Sequence, residues 1–128
     1  MNTTVTQDIK VTVRSRFEPK HSDPRVGRFI FSYRITITNT GKDTVQLKHR
    51  HWAIRDSLAA LRRVEGPGVV GETPVLRAGE AFTYTSACDL NSAFGRMQGS
   101  YTMERKVDGH LFQVEVPTME MCWPWALN

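Results

Sequence analysis

The run FIFSYRITIT, Phe29 to Thr38, alternates apolar Phe29, Phe31, Tyr33, Ile35 and Ile37 with mostly polar neighbours. Successive strand side chains point to opposite faces, so this period of two predicts a long strand with one buried face. Upstream, Val5, Ile9, Val11 and Val13 continue the same rule in a first segment that ends before Pro19, in the turn-rich loop EPKHSDPRVG. Downstream, NTGKD (Asn39 to Asp43) predicts a hairpin turn, because Asn and Gly tolerate left-handed backbone.

The next strand changes phase. Val45 and Leu47 set one alternation and Trp52 and Ile54 the other, so a β-bulge or twist within LKHRHW is needed to bury both sets. RDSLAA reads as a turn and LRRVEG as a short returning strand, followed by the irregular GPGVVGETPVLRAGE. AFTYTS is a strand with Phe82 and Tyr84 on one face, and CDLNSAFG a loop. RMQGSYTMER is a strand grouping Met97, Tyr101 and Met103, KVDGH a hairpin turn on Asp-Gly, and LFQVEV a last strand stopped by Pro117. No segment has a convincing helical period. The expected fold is all-β: an antiparallel two-sheet sandwich of immunoglobulin or fibronectin type III kind, with seven to eight strands.

Composition agrees with one such domain over residues 1–128, at 40% hydrophobic and 23% charged residues. The 17 Lys and Arg against 13 Asp and Glu leave a net charge of +4, dispersed along the chain, which predicts neither nucleic-acid nor membrane binding. The start lacks a basic region followed by an apolar one, and no apolar run reaches membrane-spanning length, so a cytoplasmic location is expected. In that compartment Cys88 and Cys122 are expected as free thiols.

Gly66, Gly68 and Gly71 in GPGVVG fall in the G-x-G-x-x-G spacing of dinucleotide loops. That loop works by leading into a helix whose N-terminus faces a pyrophosphate, and here Glu72, Thr73 and Pro74 follow instead. A Rossmann site is excluded. A weaker anion nest, helped by Arg62, Arg63 or Arg77, stands beside the favoured structural role for the glycines.

His49 and His51 share a strand face, but two ligands do not make a metal site, and His21, His110, Cys88 and Cys122 are distant in sequence. Cys122 is followed by no His, which removes a blue-copper pattern. Met97, Met103, Met119 and Met121 read as packing residues. No nucleophile, base and orienter stand together, Cys88 beside Asp89 included, so no enzyme, cofactor or metal is expected. The tail TMEMCWPWALN is expected to be extended and to dock on the protein's own body.

KHRHWAIRD, VEGPGVVGETPVLRAGEAFTYTSACDL, GRMQGSYTMER and DGHLFQVEVP, in this order, resemble the bacterial ApaG proteins over roughly Ile9 to Pro124. The resemblance implies a fibronectin type III-like sandwich and the family's alternative name CorD. It also implies a phenotypic link to cobalt resistance and magnesium efflux, and a gene neighbourhood shared with a diadenosine tetraphosphatase. Related domains in eukaryotic F-box proteins and in a DNA polymerase delta-interacting protein imply protein binding. A pyrophosphate role has been suggested for the glycines matching Gly66, Gly68 and Gly71. DSLAALRR and NSAF depart from the usual family pattern, both in loops.

The expected function is therefore a non-catalytic protein-interaction module acting indirectly on cobalt and magnesium, with an unknown protein partner. Its contact surface is expected around Arg50, His51, Trp52, Pro67 and Glu80. The alternatives are a pyrophosphate or nucleoside polyphosphate binder at the glycine loop and a direct divalent-cation binder. The chain is expected as a monomer or as a homodimer formed by edge-strand pairing.

Overall fold

The structure, a computed structural model, describes residues 1–125 in full and the backbone of residues 126 and 127. Nine strands run β1 Asn2–Thr6, β2 Ile9–Phe17, β3 Phe29–Asn39, β4 Val45–Asp56, β5 Arg62–Pro67, β6 Val75–Leu76, β7 Ala81–Leu90, β8 Phe94–Arg105 and β9 Leu111–Cys122. One sheet has the order β1-β2-β3-β7, the other β5-β4-β8-β9 with β6 also on β4, and every pairing is antiparallel. This is the expected two-sheet sandwich, with short β1 and β6 beyond the strands read from sequence. A single core joins the faces: the odd residues of β3 share it with Trp52, Tyr101 and Met103 of the opposite sheet, and Tyr33 packs on Trp52.

The phase switch in β4 is a bulge. Register with β8 shifts between Leu47 and His49, so Val45 and Leu47 are buried before it and Trp52 and Ile54 after it. The even-numbered phase that follows also turns Arg50 toward the space between the sheets.

Four local expectations are corrected. Val5 is 62% exposed, because Gln7 and Asp8 both take positive φ (46° and 67°) in a tight turn that makes the first segment a hairpin. NTGKD is a crossing between sheets, not a hairpin: buried Asn39 donates its side-chain amide to the carbonyls of Asp43 (2.8 Å) and Leu76 (3.0 Å). Cys88, Asp89 and Leu90 belong to β7, which leaves only residues 91–93 as loop. Pro117 does not stop the last strand. Register with β8 shifts between Met97 and Gly99, giving β9 an extra residue, and such a bulge on an end strand tolerates a proline lacking its N–H.

The tail docks on the body, extended over Thr118–Cys122 as the end of β9 and turned only beyond it. Trp123 packs edge-on to Phe29, ring centroids 5.6 Å apart, and Pro124–Leu127 form a 3-10 turn.

Candidate functional site at the open edge

The two lateral sides of the sandwich differ. On one, β1 reaches β9, with Thr4 Oγ1 donating to the Glu115 carbonyl at 2.8 Å and the Glu115 amide donating to Thr6 Oγ1 at 3.3 Å. On the other, β5 and β7 end their sheets without pairing to each other, and a cleft opens between them.

The inward residues of the two edge strands build its walls. Arg62, Val64 and Gly66 of β5 lie opposite Ile54, Trp52 and Arg50 of β4. Tyr84, Ser86 and Cys88 alternate inward on β7. Two adjoining hollows, of about 320 and 220 Å³, share Tyr33, Arg50, Trp52 and Ser86, the second reaching Val70 and Gly71 of the glycine loop. Tyr33, Trp52 and Tyr101 pack edge to face, with centroids 6.0 Å apart for Tyr33–Trp52 and for Trp52–Tyr101. Beneath them the phenols of Tyr84 and Tyr101 share a 2.5 Å hydrogen bond. Burial pushes the Tyr33 phenol above its usual range, against the pull of Ser86 and Arg50, and raises the Cys88 thiol as well. Neither is activated as a nucleophile by this setting.

Arg62 spans the mouth. Its guanidinium meets the Asp89 carboxylate at 3.2 Å and donates to the Asp89 carbonyl at 2.8 Å, tying β5 to β7. Arg50 instead serves the loop, its Nη1 donating to the carbonyls of Pro67 (2.9 Å) and Gly68 (3.1 Å). The guanidinium lies over Gly66, where a Cβ would come within 3.1 Å of Nη2, so the absence of a side chain at Gly66 makes room for it.

The glycine loop is a hairpin turn. Val69 and Glu72 exchange both backbone hydrogen bonds (2.8 and 2.9 Å), with Val70 and Gly71 at φ 43° and 79° between them. Gly68 needs its φ of 63° and its bareness, since a Cβ there would lie 2.2 Å from the Glu72 carbonyl oxygen. The amides of Gly68, Val69 and Glu72 are all spent on backbone carbonyls. Those three amides are therefore closed to the weaker anion-nest alternative, and Arg62 is already paired.

Among the residues singled out from sequence, Arg50, Pro67, Gly66, Gly68 and Gly71 come together at this edge. The others do not. Trp52 is 4% exposed and forms cleft floor and core. His51 faces the outer side of its sheet, Nε2 2.9 Å from Thr102 Oγ1 and Nδ1 3.5 Å from Glu65. Glu80 sits in the turn before β7 and accepts from the Arg77 amide at 2.7 Å. Among the described residues no three His, Cys, Asp or Glu gather as a metal-ligand set, His49 and His51 included. Tyr33 and Ser86 were readable only as strand positions, because their convergence on Arg50 depends on how the two sheets face each other.

A two-sheet sandwich sealed on one side and open on the other, with a Gly-rich hairpin clamped by an inward arginine, defines a fibronectin type III-like domain with an inter-sheet cleft. The ApaG domain matches residues 19–105, and the chain belongs to the ApaG family. It is 48% identical to Protein ApaG of Bradyrhizobium sp. (strain BTAi1) over 120 residues, 94% of this chain and 91% of that one. It is 42% identical to Protein ApaG of Beijerinckia indica over 126 residues, 98% of this chain and 96% of that one. The crystal structure of the ApaA protein from Bordetella pertussis superposes with a TM-score of 0.87 at 38% identity, covering 92% of this chain and 95% of that one. No helix among the described residues is long and apolar enough to cross a membrane.

Proposed function

We propose that this chain is a non-catalytic recognition module that receives an extended segment of a partner protein along β7. The supporting observation is the state of that edge. Glu80 O bonds toward β3 while Asp89 O accepts from Arg62 on the opposite side, so the odd residues of β7 aim their backbone groups outward. The N–H and C=O of Thr83, Thr85 and Ala87 then have no strand partner, because β7 pairs with β3 alone. Native edges are usually guarded by Lys, Pro or a bulge, and Ala81 to Cys88 contains none of these. Strand addition uses such an edge for affinity and the neighbouring hollows for selectivity. An influence on cobalt and magnesium would then run through the partner that is held, and cytoplasmic residence would place that partner inside the cell.

The test is Thr85→Pro, which removes an outward N–H without breaking the ladder to β3. A protein captured stoichiometrically from native lysate by the unaltered chain should be lost with the variant while the melting temperature stays within a few degrees. Equal capture by both chains would move recognition away from β7, and no capture under several conditions would count against recognition itself.

A further inference from the structure

The half of Arg50 that the loop leaves unused gives the cleft a chemistry of its own, independent of whether β7 accepts a strand. Nη1 holds the Pro67 and Gly68 carbonyls, while Nε and Nη2 have no acceptor among the described residues. Neither atom is sealed away, since no buried side-chain nitrogen or oxygen lacks a partner. Nε–H and the adjacent Nη2–H lie parallel on one edge of the guanidinium, the spacing at which arginine grips two oxygens of one oxyanion. Arg50 also has no carboxylate within salt-bridge distance among the described residues.

Charge and size narrow the ligand. Arg62 is neutralised by Asp89 at 3.2 Å, which leaves Arg50 as the one uncompensated cation among the cleft residues. A phosphate monoester brings roughly −1.5 to −2 charges, more than this arginine balances beside Asp89, whereas a carboxylate brings one. The main hollow, at about 320 Å³, is near the lower end of ligand pockets, which suits a single compact body and not a dinucleotide. Its walls are the rings of Tyr33 and Trp52 with Val64 and Met97, against which a flat apolar body can lie.

We propose that the cleft between β5 and β7 binds a small planar carboxylic acid, its carboxylate gripped by Nε and Nη2 of Arg50 and its ring against Tyr33 and Trp52.

The experiment titrates labelled full-length protein with benzoate, phenyl phosphate and benzamide separately, following the Arg50 Nε–H and Trp52 indole N–H resonances. Benzoate should shift both saturably with a Kd below about 10 mM, and benzamide, the uncharged isostere, should not. Arg50→Lys keeps the charge and loses the two-pronged grip, so it should weaken benzoate by about tenfold. If that variant fails to fold, transfer of magnetisation from benzoate ring protons to Tyr33 and Trp52 in the unaltered protein decides the matter. Absence of saturable shifts, equal response to benzamide, tighter binding of phenyl phosphate, or ring contacts elsewhere would each overturn the assignment.

Discussion

Gly66, Gly68 and Gly71 look equivalent in the sequence and have three different jobs. Gly66 leaves room for the Arg50 guanidinium, Gly68 lets the chain pass the Glu72 carbonyl, and Gly71 completes a turn in open space. A Cβ at Gly68 would combine a left-handed φ of 63° with a 2.2 Å clash against backbone, which cannot swing aside. Gly71 has the same handedness, φ 79°, with nothing within 4 Å. Gly71→Ala should therefore cost only the conformational penalty of about 1–2 kcal/mol. Gly68→Ala should cost more than about 3 kcal/mol, since the turn itself must move. Urea denaturation of both variants checks this, and equal losses would mean that the loop yields freely. The spacing of these glycines was visible from the start, but their division of labour was not, because it depends on which atoms stand opposite each one.

Among the elements, β4 shows best what a sequence discloses. Hydrophobic side chains fall out of phase across LKHRHW, and the register shift between Leu47 and His49 is the physical answer. The same change of phase brings Arg50 inward, so the bulge makes the candidate site as well as preserving the core. Deleting Lys48, which the register shift leaves without a partner in β8, would put Val45, Leu47, Trp52 and Ile54 in one uninterrupted alternation against the same β8 residues and keep all four in the core. Each such side chain is worth about 1.5–3 kcal/mol of burial, against a total stability of about 5–15 kcal/mol. The deletion should therefore keep a cooperative thermal transition, and Lys48→Ala should stay within about 0.5 kcal/mol of the parent. Loss of the cooperative melt in the deletion would show that β4 needs the bulge itself and not only the phase it corrects. Other elements were misread because their signals were local: the turn at Gln7 and Asp8 has no glycine, and Pro117 reads as a stop unless the bulge opposite β8 is known.

For the whole molecule, the two sides of the sandwich predict how copies of the chain meet. Beneath β1, the next strand carries Lys10, Arg14 and Arg16, so that side is both covered and charged. Among the described residues, Ala81 to Cys88 of β7 alone form a long uncharged edge, and alternating apolar residues foretell a sandwich without revealing which strand ends a sheet. Two copies joining β7 antiparallel about Thr85 would set Thr83 of each opposite Ala87 of the other, with Thr85 facing itself across the axis. So short a ladder buries little surface, and a dissociation constant in the millimolar range, about 4 kcal/mol, is expected. Thr85→Lys would place two like charges directly opposite, which destabilises a cross-strand pair. Sedimentation equilibrium at high protein concentration should therefore show weak self-association that this variant removes at low salt. Added salt should partly restore it, because charges exposed at an edge are screened. Association unchanged by Thr85→Lys would place the contact on another face and remove the homodimer expected at this edge, while leaving the cleft beside it intact.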